Sequence, residues 1–440
     1  MYKRISRIAL FVLLAALSLA ALDRQPNSDY RARRLTLAIK TNGSPVLLFA
    51  AEESKEGLSG FRQDDNFFYL SGCNEPGAAL LIAPEEKGEH GHPYTEILFL
   101  AQRNLYREMW TGVKLGPDDP KAREITGFDR VEPLDRLRDE LAKVLGRSRH
   151  GVLLTDTAEA PEETTATHPL QWLERSNAFM NPYYRDVKPL LAEMRVHKDA
   201  GELERIRHAS DASIAAHRRM FKEMKPGLTE LQVAGIMTGE FMFQGCARPA
   251  YAPIVGAGFN STVLHYSENS GTIQDGDVVV MDVAGEYGMY ASDITRTVPA
   301  NGKFTARQRE IYDIVLGAQR EAEKAFVSGR STLTGDGPDS LYRVAYDYIN
   351  SHGKDLHGQP LGKYFIHGLG HYVGLNVHDV GEGPLAPGAV FTLEPGIYIP
   401  EEKLGVRIED DYMVDKDGNL VDLTAALPHT ADEVEAAMRK

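Results

Sequence analysis

Short apolar runs separated by turn-rich stretches fill the first half of the chain. Val46-Leu47-Leu48-Phe49 and Ala78-Ala79-Leu80-Leu81-Ile82 read as strands and the charged stretch 134–145 as a helix, an alternation that predicts a mixed α/β domain. A longer charged segment, 198–225, places Leu203, Ile206, Ala209, Ser213 and His217 at helical spacing and stops at Pro226-Gly227. The domain boundary is expected just before that helix, within 187–195, giving one domain over 30–190 and another over 191–440. The first 22 residues stand apart. Lys3, Arg4 and Arg7 precede an apolar run over 8–17, and Ser18-Leu19-Ala20 follows at a cleavage-like spacing. This is the pattern of a secretory signal peptide, and the run is short for a membrane span.

In the second domain the strand pattern carries acids where apolar residues are expected. Asp282 ends the run Asp277-Val278-Val279-Val280-Met281-Asp282-Val283, Glu394 ends Val390-Phe391-Thr392-Leu393-Glu394, and Glu409 ends Val406-Arg407-Ile408-Glu409. A carboxylate in a buried strand costs several kcal/mol unless it is paired or bound to a metal. A hairpin with Tyr287-Gly288 as its two-residue loop would set Asp282 directly opposite Asp293. Like charges so placed repel, and a shared cation reverses the sign. By the same parity Glu394 could face Glu409 across antiparallel strands, with the longer loop between them leaving that register open. Histidine is the usual companion of carboxylates at a transition metal, and His367-Gly368-Leu369-Gly370-His371 with His378-Asp379 supplies three. Glycine beside these histidines would permit close backbone approach.

Composition narrows the options. With 42% hydrophobic and 25% charged residues the chain has a globular balance, and its formal charge of −14 argues against nucleic-acid or anionic-membrane binding. Cys73 and Cys246 are the two cysteines, too few for a disulfide framework. The leader predicts a periplasmic or secreted protein with no stable membrane insertion once it is removed.

Taken in order, Asp282, Asp293-Ile294-Thr295-Arg296-Thr297, the histidine run 367–371, Val377-His378-Asp379, Leu393-Glu394-Pro395-Gly396 and Arg407-Ile408-Glu409-Asp410 resemble the pita-bread metallopeptidases. Among these the chain is similar to aminopeptidase P and its relative prolidase. Ile254-Val255-Gly256-Ala257-Gly258, Leu264-His265-Tyr266, Phe68-Tyr69-Leu70-Ser71-Gly72, Asn74-Glu75-Pro76 and the stretch 112–117 extend the resemblance over nearly the whole mature chain. It implies an α+β protein, with a C-terminal pita-bread metallopeptidase domain preceded by a mixed α/β creatinase/prolidase-like N-terminal domain.

The implied activity is hydrolysis of the N-terminal Xaa-Pro bond of peptides by two divalent metal ions, acting on peptides with proline second. The implied metal ligands are Asp282 for one ion, Asp293 and Glu409 as bridges, and His371 with Glu394 for the other. Glu394 is also the implied proton carrier. His265, His367 and His378 would bind substrate and stabilise the intermediate, Arg407 would buttress the network, and Tyr398 would lie near the substrate. Oxygen-dominated ligation with one imidazole favours Mn2+, with Co2+, Fe2+ or Zn2+ as alternatives. A homo-oligomer is also implied. The family usually has glycine two residues after the first aspartate, where this chain has Ala284 followed by Gly285. Two other readings stay open: a prolidase confined to dipeptides, and a catalytically silent or creatinase-like relative, which would lose the acids.

Overall fold

The computed structural model describes residues 23–53, 60–85, 91–147, 151–157 and 183–439, so the expected leader over 1–22 lies outside the described residues. Its contacts divide the chain into two units after Leu190, inside the helix Lys188–Val196. No described helix is long and apolar enough to cross a membrane.

The first unit is built on a six-stranded mixed sheet. Its strand order is Arg130–Pro133, Tyr94–Leu100, Ala79–Pro84, Val46–Phe49, Val152–Thr155, Tyr183–Asp186. The apolar runs read from the sequence are its central antiparallel strands, joined over Val46↔Ile82 to Phe49↔Ala79 and buried on both faces. The charged stretch at 134 becomes a 3-10 turn, Leu134–Arg136, leading into the helix Leu137–Arg147, whose Leu137 and Leu141 enter the core beneath the sheet.

The second unit packs small sheets against long helices. Helix Ala200–Glu223 starts at a capping box in which Asp199 accepts from the Glu202 amide and Glu202 accepts from the Asp199 amide. Ile206, Ala209, Ser213 and His217 face inward as their spacing requires, while Leu203 is half-buried. His217 Nε2 reaches the Val283 carbonyl at 3.0 Å, and Ser213 Oγ accepts from the Gly285 amide at 3.0 Å. The helix therefore braces the segment just past Asp282. At the departure from the family pattern, Ala284 is fully buried and a Cβ on Gly285 would meet Cys246 Sγ at 2.7 Å. The glycine requirement at that close approach falls one residue later than the family pattern places it.

One register differs from expectation. Strand Val278–Asp282 pairs with Thr295–Pro299 so that Asp282 lies opposite Thr295, and the turn falls on Gly288-Met289 with Tyr287 paired to Tyr290. Tyr287-Gly288 is not the loop, because a tight hairpin of this kind needs positive φ at both central positions. Gly288 and Met289 adopt 56° and 76°, while Tyr287 stays extended and stacks on His208 at 3.7 Å. The slip is even, so facing is preserved and the acids become diagonal rather than opposed. The other register is as expected: Leu393↔Asp410 and Gly396↔Arg407 flank Glu394 and Glu409, which take opposed positions where pairing breaks.

Candidate metal and peptide-binding site

The side chains of Asp282, Asp293, His371, Glu394 and Glu409 converge on one cavity of about 250 Å³, together with Leu264, His265, His367, His378 and Arg407. Each acid sits at the end of a strand or where pairing lapses, a position that releases its side chain from the packed sheet. The loop 369–371 lies against the strand edge: Thr392 donates its amide to His371 O at 2.9 Å, and Glu394 donates to Leu369 O at 2.8 Å. A Cβ on Gly370 would come within 2.0 Å of Thr392 O, so glycine is required at this contact, whereas one on Gly368 would meet nothing. This close approach brings His371 Nε2 to 3.4 Å from Glu394 Oε1 and 3.3 Å from Asp293 Oδ2.

Arg407 supplies the counter-charge. Its Nη2 lies 2.7 Å from Asp282 Oδ2, Nη1 donates to Tyr398 Oη at 2.9 Å, and Nε donates to Thr295 Oγ1 at 3.2 Å. Thr295 in turn donates to Glu409 Oε2 at 2.6 Å. Tyr398 stands behind the cavity wall, its hydroxyl also 2.8 Å from His367 Nε2. His378 lies against His371, the rings tilted by 49° with centroids 4.1 Å apart.

Arg407 alone does not offset this much buried acid. Burial and the charge of Asp293 push Asp282 up to about 6 despite Arg407. Burial likewise raises Glu394 to about 7 against the pull of His371, and burial with the neighbouring acids raises Glu409 well above its usual range. For His371 burial favours the neutral ring, but the hydrogen bond and charge of Asp293 outweigh it and lift the pKa to about 9. Burial, then Arg407, depresses His367 to about 4, so that ring is neutral at physiological pH. Burial, then His371, lowers His378 as well.

Such a cluster suits divalent cations. Asp282 Oδ1 and Asp293 Oδ1 are buried without a hydrogen-bond partner, an arrangement a metal ion satisfies. Donor atoms of Asp293, His371 and Glu409 lie within 4.8 Å of one another. A second group, Asp410, Asp422 and His429, meets the same spacing, but Arg296 Nη2 sits 2.5 Å from Asp410 Oδ1 and holds the place of a cation.

Every site residue anticipated from the sequence lines this cavity except Tyr398, which bonds to two that do. Thr295, Leu264 and Tyr251 were not anticipated. Thr295 lies two residues beyond Asp293, where strand parity puts it on the same face, and Leu264 adjoins His265; those positions were the available signal. Tyr251, whose hydroxyl is buried beside the charge of Asp282, carried none.

Residues 204–416 match metallopeptidase family M24, and residues 30–153 match the N-terminal domain of aminopeptidase P. The chain is 35% identical over 441 residues to the Xaa-Pro aminopeptidase of Escherichia coli, covering 93% of this chain and 97% of that one. The structure is similar to proline aminopeptidase P II from Yersinia pestis, with a TM-score of 0.80 and 32% identity over 94% of this chain and 99% of the other. It is equally similar to zinc-substituted Escherichia coli aminopeptidase P in complex with product: TM-score 0.80, 32% identity, 95% and 100% covered.

Proposed function

This chain belongs to metallopeptidase family M24, with the N-terminal domain of aminopeptidase P ahead of a pita-bread domain, and we propose that it releases the N-terminal residue of peptides whose second residue is proline. It is a metal-dependent Xaa-Pro aminopeptidase. The observation that carries this reading is the convergence of four acids and four histidines on one cavity, in a chain similar along nearly its full length to enzymes of that name. The Xaa-Pro aminopeptidase of Escherichia coli and the aminopeptidase P structures match across both domains, which leaves prolidase disfavoured.

Asp282 would hold one ion and His371 with Glu394 the other, with Asp293 and Glu409 shared between the two, a set whose side chains line one cavity. Two divalent ions bound there supply a hydroxide-strength nucleophile at neutral pH and polarise the scissile carbonyl. Glu394 takes up the proton of the attacking water on a carboxylate oxygen and delivers it to the departing proline nitrogen. His367, neutral and held by Tyr398, joins His265 and His378 in binding the peptide and stabilising developing oxygen charge. Arg407 holds Asp282 in place against the repulsion of its neighbours. The oxygen-rich donor set with a single imidazole favours Mn2+ over Co2+, Fe2+ or Zn2+.

A peptide bond before proline has no N–H, so the site must recognise ring shape rather than a backbone donor. Xaa-Pro-Yaa tripeptides and longer peptides should be cut at least as well as Xaa-Pro dipeptides, and peptides lacking proline at the second position should be poor substrates. Turnover confined to dipeptides would make the enzyme a prolidase, and equal cleavage of Xaa-Ala peptides would remove the proline specificity.

Export to the periplasm or beyond is part of the proposal, supported by Lys3, Arg4, Arg7, the apolar run and Ser18-Leu19-Ala20. A mature protein starting near Ala21 would agree, and intact Met1 on a cytoplasmic protein would overturn it. Homo-oligomerisation is supported by the helix Leu105–Thr111, which exposes Leu105, Tyr106, Met109 and Trp110, a surface of the kind subunits cover. Light scattering that gives the monomer mass would count against it.

A further inference from the structure

Glu409, Asp410 and Asp411 are three consecutive acids, all buried. Glu409 faces the metal cavity, and Asp410 is neutralised by Arg296 at 2.5 Å. Asp411 has neutral donors alone. Its Oδ2 accepts from the Ser292 hydroxyl at 2.7 Å and the Asp293 amide at 3.1 Å and lies 3.2 Å from the Ser210 hydroxyl, which shares its proton with Ile206 O at 3.0 Å, and its Oδ1 lies 3.3 Å from that amide. A buried carboxylate is a costly means of tying two hydroxyls together. The Asp293 amide gives it a further role. Residues 292–294 belong to no strand. The Ser292 amide is taken by Gly285 O at 3.3 Å and the Ile294 carbonyl by the Val283 amide at 3.2 Å, which leaves the Asp293 N–H to Asp411. A carboxylate accepts from all three donors while presenting no competing donor of its own.

We propose that Asp411 is a positioning residue: it fixes the peptide group from which the Asp293 carboxylate reaches the metal centre, and thereby sets the affinity for the second ion. This rests on the reading of Asp293 as a bridging ligand. Outer partners that orient a ligand typically change metal affinity ~10- to 100-fold when lost. The test titrates manganese(II) chloride into the metal-stripped full chain by calorimetry, alongside kcat and KM on an Xaa-Pro tripeptide. Wild type should take up two ions. Asp411→Asn should keep the first and bind the second at least ~tenfold more weakly, with kcat reduced at limiting metal, KM little changed and partial recovery in excess manganese. Ser292→Ala, which leaves the carboxylate in place, should shift the second ion in the same direction by less, and it decides the matter if Asp411→Asn does not fold. Unchanged second-ion affinity in the folded variants would overturn the proposal. A wild-type chain that binds fewer than two ions would instead overturn the site reading beneath it.

Discussion

The Tyr398 hydroxyl joins two functional side chains that otherwise belong to separate segments, accepting from Arg407 Nη1 and meeting His367 Nε2. Tyr398→Phe leaves the ring packed and strands both partners, one of them a buried guanidinium. Losing a buried hydrogen bond of this kind costs about 1–2 kcal/mol, so kcat/KM on an Xaa-Pro tripeptide should fall roughly 5- to 30-fold with the fold intact. A value within twofold of wild type would reduce Tyr398 to packing. Asp293→Asn tests a different property of the same cavity. The substitution removes one charge from a cluster that raises the pKa of Asp282 and Glu409, and with it the partner that lifts His371, so the two effects oppose one another and the metal-free protein should stay folded while the variant loses most metal and activity. Metal content by mass spectrometry and melting in chelator measure metal loss and folding separately. Two full equivalents with normal turnover would show that Asp293 is not a bridge.

Helices and hairpins convert these residues into a site, and the long helix Ala200–Glu223 does so through Ser210, Ser213 and His217. Asp199→Ala removes the side chain that receives the Glu202 amide. Loss of such a cap costs about 1 kcal/mol, seen as a melting temperature lower by roughly 2–4 °C for a unit of this size. No change would mean the cap is redundant with the helix's tertiary contacts. This helix could be read in advance because its apolar spacing is long and its end carries Pro226-Gly227. The Glu394/Glu409 opposition was readable as a parity alone, because the longer loop leaves the register open; the structure supplies it, with one register running through both flanking strand pairs. The Asp282/Asp293 pairing was not, because the turn depends on Met289 accepting a left-handed φ, which its side chain gives no reason to expect. Parity rescued the facing but not the partner. Asp411 escaped notice for a related reason: its role depends on which amide the interrupted hairpin leaves free, a property of long-range packing rather than of local pattern.

At the scale of the molecule, the acidic centre ties stability to both pH and metal. In the metal-free protein Asp282 and Glu394 stay protonated up to about pH 6 and about pH 7, whereas in an unfolded chain such carboxyls ionise near about 4. Over that interval the folded state holds more protons than the unfolded one, so stability falls as pH rises. His371, lifted from 6.5 to about 9, adds stability that is complete below the lower value and lost as pH climbs through the higher. His367, lowered to about 4, acts the opposite way: below about pH 6.5 the unfolded chain gains a proton that the folded ring refuses, and stability drops on the acid side. The chelator-treated enzyme should therefore be most stable in mildly acidic solution and should melt progressively lower from about pH 7 to about pH 9. Saturating divalent metal should raise the curve, by about 2.7 kcal/mol at a hundredfold excess over Kd, and should flatten its alkaline limb, because bound cations replace the protons that the acids would otherwise need. Melting curves with and without metal across that range check both effects. A metal-free enzyme that gains stability between pH 7 and pH 9 would mean that the buried acids are compensated in some way other than by metal.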